Sequence, residues 1–192
     1  MTVTVNGVAY SATVGAGGKF SASVKGSDLT ADADKSIDVS LTARDAAGNV
    51  GTITGTKAYS VDTTGPSGVV VTFDNVTADN VVNAAEAAGT VNVTGKVTGE
   101  FTTGDVVSAV VNGKTYTAAV AGDGTFSMAV AGSDLAADVD RKFEFNVVAH
   151  DAAGNTASLG ATKSYGVDTT GPSNVVVTFD NVTADNVVNA AE

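Results

Sequence analysis

Apolar and polar residues alternate along several short stretches of the chain, the pattern of β-strands that bury one face. Thr90–Val97 reads TVNVTGKV, and Lys142–His150 reads KFEFNVVAH. Gly68–Phe73 and Val106–Val111 are short apolar runs, and Thr156–Tyr165 has the composition of a further strand. Valine and threonine are abundant throughout, which favours strands over helices. The pattern therefore predicts an all-β fold.

Two dipeptides mark sharp turns between these stretches. Asn112-Gly113 separates VVSAVV from KTYTAAV, and Asp123-Gly124 precedes TFSMAV. Such pairs favour two-residue hairpins because both turn residues adopt positive φ. We therefore expect two hairpins, and about seven strands in about 100 residues. That spacing is typical of an immunoglobulin-like β-sandwich.

The chain repeats itself at a spacing of 106 residues. Val61–Glu86 recurs as Val167–Glu192 with one change, from Gly68 to Asn174. The same shift places KFSASVKGSDLTADAD on TFSMAVAGSDLAADVD and ARDAAGNV on AHDAAGNT. A unit of this length suits a whole domain. We predict the C-terminal part of one repeat at 1–62, a complete repeat at 63–168 and the N-terminal part of the next at 169–192.

The two partial repeats lead to an expectation about partners. We expect the chain to be a window onto a tandem array, with neighbouring repeats of the same chain as its partners. Partial sandwiches leave strand edges open to other chains. The tail of one molecule could complete the head of the next, in head-to-tail self-association. The alternative is that both ends are loosely ordered.

Charge and composition narrow the function classes. The formal net charge is −11, from 21 acidic and 10 basic residues, which argues against nucleic-acid binding. There is no cysteine, so disulfides and thiolate metal sites are excluded. No apolar run of 18 residues is present, and we expect no membrane contact by this segment.

No motif indicates an enzyme. The one histidine, His150, is replaced by Arg44 in the other copy, so the repeat does not need it. The chain has no G-x-S-x-G nucleophile elbow, and GAGGKF does not match a phosphate loop. We expect no catalytic residues.

Five motifs in a fixed order carry a resemblance to a known family. They are VDTTGP, DNVVNAAE, DGTFS, GSDLAAD and DAAGN, followed again by VDTTGP. In this order they resemble the bacterial immunoglobulin-like extender repeats of giant RTX-type, biofilm-associated surface adhesins exported by type I secretion. The resemblance implies calcium-binding β-sandwiches strung into rods that hold a terminal ligand-binding domain away from the cell. It also implies an extracellular location and a parent protein anchored in the outer membrane.

The function expected from this resemblance is that of a spacer. The alternative is a module that binds a carbohydrate or a host surface. Carbohydrate sites usually use exposed aromatic rings, whereas this chain has no tryptophan and four tyrosines. An accessory domain of an extracellular enzyme is a third possibility.

The acidic residues are concentrated in the predicted turns, which suits a hard cation. Calcium takes six to eight oxygen ligands from carboxylates, amides and carbonyls. Asp74 does not open an EF-hand, because the glycine and the closing glutamate of that loop are missing. Strand parity instead brings several loops together at each joint between repeats. The candidate ligands are Asp45, Asn49, Asp62, Asp74, Asp79, Asn80, Glu86, Asp151, Asn155, Asp168, Asp180, Asp185, Asn186 and Glu192.

The same residues have a simpler interpretation. Asp and Asn are ordinary turn residues because their side chains bond the local backbone, and Asp79 or Asp134 could cap a helical turn. Both interpretations stay open for the candidate ligands, and equally for the GSDLTADAD and GSDLAADVD segments. Their acids are Asp28, Asp32, Asp34, Asp134, Asp138 and Asp140.

Overall fold

The computed structural model describes residues 1–188 and 190–191, which form two compact units. Unit 1 is Met1–Thr64, and unit 2 begins at Gly65. In this described part of the chain no helix has the length and apolar character needed to cross a membrane.

Unit 2 contains two facing sheets. A three-stranded sheet has the order β12-β9-β7, and a four-stranded sheet has the order β11-β10-β13-β14. All pairings within these two sheets are antiparallel. The strands are β7 (Val70–Phe73), β8 (Val81–Val82), β9 (Thr90–Thr98), β10 (Val106–Val111), β11 (Lys114–Ala119), β12 (Thr125–Ala131), β13 (Lys142–His150), β14 (Thr156–Ser164) and β15 (Gly166–Val167).

The core is formed by the alternating apolar residues of the predicted strands. Every second residue of β9, β10, β12 and β13 is buried, and these side chains meet between the sheets. Phe73 of β7 stacks on Phe145 of β13, with ring centroids 3.6 Å apart. The prediction of an all-β, immunoglobulin-like sandwich is confirmed.

One predicted hairpin is present and the other is wrong. At Asn112-Gly113 both residues have positive φ, and β10 pairs with β11 directly. At Asp123-Gly124 the chain turns tightly, but β11 and β12 lie in different sheets. Val120 and Phe126 on either side of this turn are both buried in the core, so the connection crosses from one sheet to the other. Sequence spacing alone cannot distinguish these two kinds of turn.

One end of unit 2, which we call the outgoing end, gathers three segments. The connection between β7 and β9 carries the helix α2 (Ala84–Ala87), and the connection between β12 and β13 carries α3 (Gly132–Ala137). A Cβ atom at Gly132 would lie 1.9 Å from the main-chain oxygen of Glu86, so the two connections are in close contact. β15 pairs in parallel with β8, which brings the outgoing chain to the same place.

Unit 1 repeats the four-stranded sheet of unit 2 in the order β2-β1-β5-β6. Among residues 1–64 the one other sheet is the short β3-β4 pair, so much of the apolar face stays open. Ile53 is 62% exposed and Phe20 is 48% exposed. The elements are β1 (Thr2–Val5), β2 (Val8–Ser11), β3 (Thr13–Val14), a 3-10 turn (Ala16–Gly18), β4 (Phe20–Ser21), α1 (Gly26–Ala31), β5 (Ser36–Arg44) and β6 (Val50–Ala58).

Residues 169–188, which we call the tail, form no helix or strand. Val175, Val176 and Val177 are exposed, and Phe179 is 91% exposed. The same sequence at residues 69–73 contains β7 and packs in or against the core.

Candidate functional site

The repeat supplies two copies of most candidate ligands, one in a packed and one in an open environment. Asp151 lies in the loop between β13 and β14. Its Oδ1 accepts hydrogen bonds from the main-chain N–H groups of Ala153 and Asn155, each at 2.9 Å. Its Oδ2 accepts a bond from Asn155 Nδ2 at 2.8 Å. The Asn155 side chain holds the pKa of the Asp151 carboxyl below its ordinary value, against the effect of burial.

The corresponding loop of unit 1 is closed in the same way. Asp45 accepts bonds from Ala47 N and from Asn49 N and Nδ2, at 2.8 to 2.9 Å. The side chain of Asn49 lowers the pKa of Asp45. Asp45 is exposed whereas Asp151 is buried, so burial does not create this loop geometry. The DAAGN sequence encodes it locally.

The segment between β7 and β9 forms a second local turn. Asp79 Oδ1 accepts bonds from Val81 N and Thr77 Oγ1, both at 3.0 Å, and Asn80 Oδ1 accepts one from Val76 N at 3.1 Å. The bond from Val81 is the main reason that the pKa of Asp79 is lowered.

The tail repeats this turn in largely exposed surroundings. Asp185 accepts bonds from Val187 N and Thr183 Oγ1 at 3.0 Å, and Asn186 Oδ1 accepts one from Val182 N at 3.1 Å. Equal distances in the packed and the open copy mean that this turn too is encoded by its own residues.

The linker acids Asp62 and Asp168 occupy equivalent positions in the repeat and accept equivalent hydrogen bonds. Asp168 Oδ1 accepts bonds from Thr170 N at 3.0 Å and from Thr170 Oγ1 at 2.8 Å. Asp62 makes the same two bonds with Thr64 at the same distances. The threonine hydroxyl lowers the pKa of Asp168.

The other candidate ligands differ in their surroundings. Asp74 Oδ2 accepts a bond of 2.6 Å from the Thr94 hydroxyl. Glu86 Oε2 accepts a bond from Asn83 N, and Asn83 Oδ1 accepts one from Glu86 N, in a reciprocal capping box that begins α2. Asp180 is exposed, and Glu192 lies outside the described residues.

The capping box at the start of α2 was not predicted from the sequence, and neither was the hydrogen-bond network around Asp134. The signal for the cap was present, since Asn83-Ala-Ala-Glu86 has the spacing of a capping box. Asp134 does not cap a helix. Its carboxylate accepts bonds from Lys114 Nζ at 2.8 Å and from the Tyr116 hydroxyl, and Lys114 is the main cause of its lowered pKa.

Asp138 connects the same loop to two other elements. It accepts bonds from Tyr165 OH at 3.0 Å and from Asn112 N at 3.2 Å. In unit 1, Asp32 takes the equivalent bonds from Tyr59 and Asn6. The acids of the GSDL segments therefore join a helix, a hairpin and a strand end within one repeat. Asp34 and Asp140 each accept one local bond, from Ser36 N and Lys142 N.

The outgoing end brings together part of the predicted ligand set. Asp168 N donates to Val82 O at 3.0 Å, and Gly166 N donates to Asn80 O at 2.8 Å. The linker residue Asp168 therefore lies beside the segment that carries Asp79, Asn80 and Glu86.

The opposite end of unit 2 holds the Asp151 loop and the hydrogen-bonded residues Asp105 and His150. Asp105, which is buried, accepts bonds from Thr102 N and His150 N, and its Oδ1 lies 2.6 Å from His150 Nδ1. Burial opposes ionisation of Asp105, but these hydrogen bonds outweigh it and lower its pKa. A Cβ atom at Gly65 would lie 2.8 Å from Thr156 O, so the chain enters unit 2 beside the same loop.

The donor chemistry fits calcium, because every candidate ligand is an oxygen donor. Among the described residues, however, no group of three or more His, Cys, Asp or Glu side chains is gathered in a way that could hold a metal ion. Most of the carboxylates accept hydrogen bonds from their own turns. Their assignment as ligands stays a prediction.

Fold and sequence together define a class of protein. An all-β sandwich whose sequence recurs at a spacing of 106 residues, with a nearly identical linker at each junction, is the architecture of a modular repeat protein. Comparison with known proteins gives the family. No protein-family model and no curated protein matches the chain.

Solved structures do match. The chain is similar to a calcium-stabilised adhesin that helps an Antarctic bacterium reach out and bind ice. The identity is 44%, over 99% of this chain and 45% of that chain, with a TM-score of 0.69. It is also similar to a structure of a 1.5-MDa bacterial ice-binding adhesin, concerned with host cell surface retention. There the identity is 43%, over 88% of this chain and 52% of that chain, with a TM-score of 0.66.

A third similar structure is a bacterial immunoglobulin-like domain from the M. primoryensis ice-binding adhesin, at 47% identity over 51% of this chain and 95% of that chain, with a TM-score of 0.48. The chain belongs to the bacterial immunoglobulin-like repeats of large surface adhesins. It spans about half the length of the first two solved chains that it matches.

Proposed function

We propose that this chain is a segment of the extender region of a large bacterial surface adhesin. Its function is mechanical: it adds length between the cell and a distal ligand-binding domain. The segment works outside the cell, at the cell surface, and its partners are neighbouring repeats of the same chain. The observation that carries this proposal is the repeat at a spacing of 106 residues, in which the linker and the segment after it, Val61–Glu86, recur as Val167–Glu192 with one change on either side of the sandwich of unit 2. A spacer needs repetition, whereas a binding module needs one distinctive surface.

The sandwich of unit 2 suits a load-bearing role. The residues that leave it, Gly166 and Val167, pair with β8, and Asp168 N is bonded to Val82 O. The outgoing linker is thus held by main-chain hydrogen bonds next to the connection between β7 and β9. Force on the linker would act first on this short parallel pair and then on the core beneath it.

We further propose that calcium stiffens the joints between consecutive repeats. A similar adhesin is calcium-stabilised, and the acids beside Asp168 are oxygen donors of the kind that calcium prefers. Because no three carboxylates are gathered within the described residues, main-chain carbonyls, amide oxygens or a neighbouring repeat would complete the ligand set. Bound calcium would neutralise the mutual repulsion of these acids and fix the linker direction.

The expected stabilisation is modest for one site. Extracellular modules bind calcium with a Kd of roughly 10⁻⁴ to 10⁻³ M. At one to ten times Kd, linkage adds about 0.4 to 1.4 kcal/mol for each site.

Thermal unfolding and small-angle scattering of the same samples test the stiffening by calcium, and a glycan array tests the spacer function. With about 5 mM calcium, above the module Kd range, we expect a higher melting temperature and a longer, stiffer particle than in excess chelator. Asp168→Asn should reduce the calcium response. Glu144→Gln removes one negative charge from the exposed side of β13, at a residue that is not a candidate ligand, and should leave the response intact.

Two results would contradict these proposals in different ways. Equal melting curves and equal scattering with calcium and chelator would refute the stiffening but leave the spacer function standing. Reproducible binding of a defined glycan on an array would contradict the spacer function.

A further inference from the structure

Two asparagines of the chain directly precede a glycine, and both lie at the tip of a hairpin. They are Asn112, between β10 and β11, and Asn6, between β1 and β2. Eight of the other eleven asparagines precede a valine, whose branched side chain crowds its own main-chain nitrogen. A glycine has no side chain and leaves this nitrogen uncovered. The two hairpin tips therefore differ chemically from the other asparagine positions.

An asparagine followed by glycine can react with its own main chain. After the glycine nitrogen gives up its proton to base, it attacks Cγ of the asparagine, and a bond forms between these two atoms. The bond from Cγ to Nδ2 breaks, and Nδ2 takes a proton from water and leaves as ammonia. Water then opens the cyclic imide at one of its two carbonyl carbons, which gives aspartate or isoaspartate. The net reaction consumes one water and releases one ammonia, without an oxidant or reductant.

The Asn112-Gly113 turn is accessible to this reaction. Both residues are exposed, and a Cβ atom at Gly113 would meet no atom within 4 Å beyond its chain neighbours. In the described part of the chain, Gly113 N donates no hydrogen bond. The other tight turn differs, because the nitrogen of Gly124, which follows Asp123, donates to Ala121 O at 2.9 Å. Base and water thus reach the nitrogen of Gly113 from solvent.

Two acids restrain the same asparagine in the folded protein. Asn112 N donates to Asp138 Oδ1 at 3.2 Å, and Asn112 Nδ2 donates to Asp134 Oδ1 at 3.4 Å. Asp134 lies in α3, and Asp138 directly follows it. Ring closure joins Asn112 Cγ to Gly113 N and releases Nδ2, so it breaks the bond to Asp134 and distorts the turn. The reaction therefore requires local opening of the tip, and it should be slower in the folded protein than in the unfolded chain.

Either product would weaken the contact between the hairpin and α3. The new carboxylate stands where Nδ2 donated to Asp134, so a hydrogen bond is exchanged for repulsion between like charges. Isoaspartate also leads the main chain through its own Cβ and Cγ, which adds one atom to a two-residue turn. This turn joins Val111 to Lys114, the last pair of β10 and β11, and Lys114 is itself bonded to Asp134.

We propose that Asn112-Gly113 is a site of spontaneous deamidation, and that the change loosens the β10–β11 hairpin from α3. The reaction releases ammonia and is not reversed, so modified turns accumulate as the molecule ages. In unit 1, Asn6 N donates to Asp32 Oδ1 at 3.2 Å in the same way. We expect Asn6-Gly7 to react as the equivalent site of its repeat.

Peptide mapping of the full chain by mass spectrometry, after incubation in mildly alkaline buffer, tests the site. We expect the peptide that carries Asn112 to gain the mass of deamidation, and incubation in urea should speed this gain severalfold. Asn92 is the matched control, because it is exposed on β9 and precedes Val93. An unchanged Asn112 after an incubation that converts it in urea, or equal gains at Asn112 and Asn92, would overturn the proposal. Equal rates with and without urea would overturn the restraint by Asp134 and Asp138.

Asn112→Asp reproduces one of the two products and tests the consequence. Native-state hydrogen exchange of the β10 and β11 amides should be severalfold faster than in the parent. Asn92→Asp adds the same charge on the exposed side of β9, opposite the uncharged Ala129 in the other sheet, and should leave these amides unchanged. Equal exchange in the parent and in Asn112→Asp would overturn the loosening of the hairpin. Neither measurement needs calcium or a neighbouring repeat, so deamidation can be absent while the proposed function stands, and the reverse.

Discussion

Gly95 lies between two phenylalanines whose rings meet above it. Phe126 on β12 and Phe73 on β7 are both directly opposite Gly95 of β9, and their ring centroids are 5.6 Å apart in an edge-to-face arrangement. A Cβ atom at Gly95 would lie 2.5 Å from Cζ of Phe126 and 2.4 Å from Thr72 O. This is why a glycine, a poor strand former, stands in the centre of the sheet.

Gly95→Ala should therefore destabilise unit 2. The added methyl group overlaps with the ring of Phe126 and with main-chain oxygen, and we expect the free energy of unfolding to fall by about 1 to 3 kcal/mol. Urea unfolding monitored by circular dichroism measures the change. Gly122→Ala is the matched control, because its Cβ would meet only Thr103 Oγ1, at 3.4 Å. A loss at Gly95 no larger than that at Gly122 would contradict the packing argument.

Gly95 also indicates what the sequence could predict. Alternation placed β9 and its buried face correctly, because burial of every second side chain is a property of one strand. The closeness of Gly95 to Phe126 depends on which strands are neighbours, and that is a long-range property. The Asp123-Gly124 hairpin was wrong for the same reason, since a tight turn is local whereas the choice of sheet depends on where Val120 and Phe126 are buried.

The local turns of the candidate site could be predicted from the sequence, but contacts between distant segments could not. Asp151 and Asp79 were expected in turns, and both lie in turns that are closed by bonds to nearby residues. Metal binding is not a local property, because the ligands must be brought together by the fold or by the next repeat. The role of Asp134 could not be deduced either, since Lys114 and Tyr116 reach it from the neighbouring hairpin, and the repeat has Val8 in place of Lys114.

Tyr165 and Tyr59 make the same hydrogen bonds in the two units and differ in burial. Tyr165 OH lies 3.0 Å from both Leu135 O and Asp138 Oδ2, and Tyr59 OH lies 2.8 Å from Leu29 O and 2.9 Å from Asp32 Oδ2. Tyr165→Phe should lower the stability of unit 2 by about 1 to 2 kcal/mol, because a buried carbonyl and a carboxylate lose their donor.

Tyr59→Phe is the internal comparison. Water can replace the hydroxyl of the half-buried Tyr59, so we expect a smaller loss in unit 1. Native-state hydrogen exchange, read on the amides of β13 and β5, separates the two units. Equal losses would mean that burial does not determine the strength of these bonds.

The Asp151 loop should make the protein sensitive to acid. The Asn155 side chain and main-chain N–H groups lower the pKa of Asp151 in the folded state. A carboxyl whose folded pKa lies below its unfolded pKa stabilises the fold above the unfolded value, about 4, and loses this contribution as the pH falls through the folded pKa. We therefore expect constant stability from neutral pH to about pH 5 and a decline below about pH 4.

Asp151→Asn checks the assignment. The variant should be less stable than the parent at neutral pH, and its stability should fall less steeply under acid, because one titrating group is gone. Urea midpoints at several pH values measure both effects. Parallel pH curves for the variant and the parent would place the acid sensitivity in other carboxylates, such as Asp134 and Asp168, whose pKa values are also lowered.

The turn around Asp185 should form without the rest of the protein. Its bonds from Val187 N and Thr183 Oγ1 have the lengths of those at Asp79, although the tail residues around it are exposed. A peptide of residues 178–188 should show a protected Val187 amide by NMR, and Asp185→Ala should abolish the protection. Calcium should leave the peptide spectrum unchanged, because an ion needs six or more oxygens and this turn supplies few. A calcium-dependent shift of the Val187 amide in the full chain, absent from the peptide, would then identify binding that requires the assembled joint and not the turn alone.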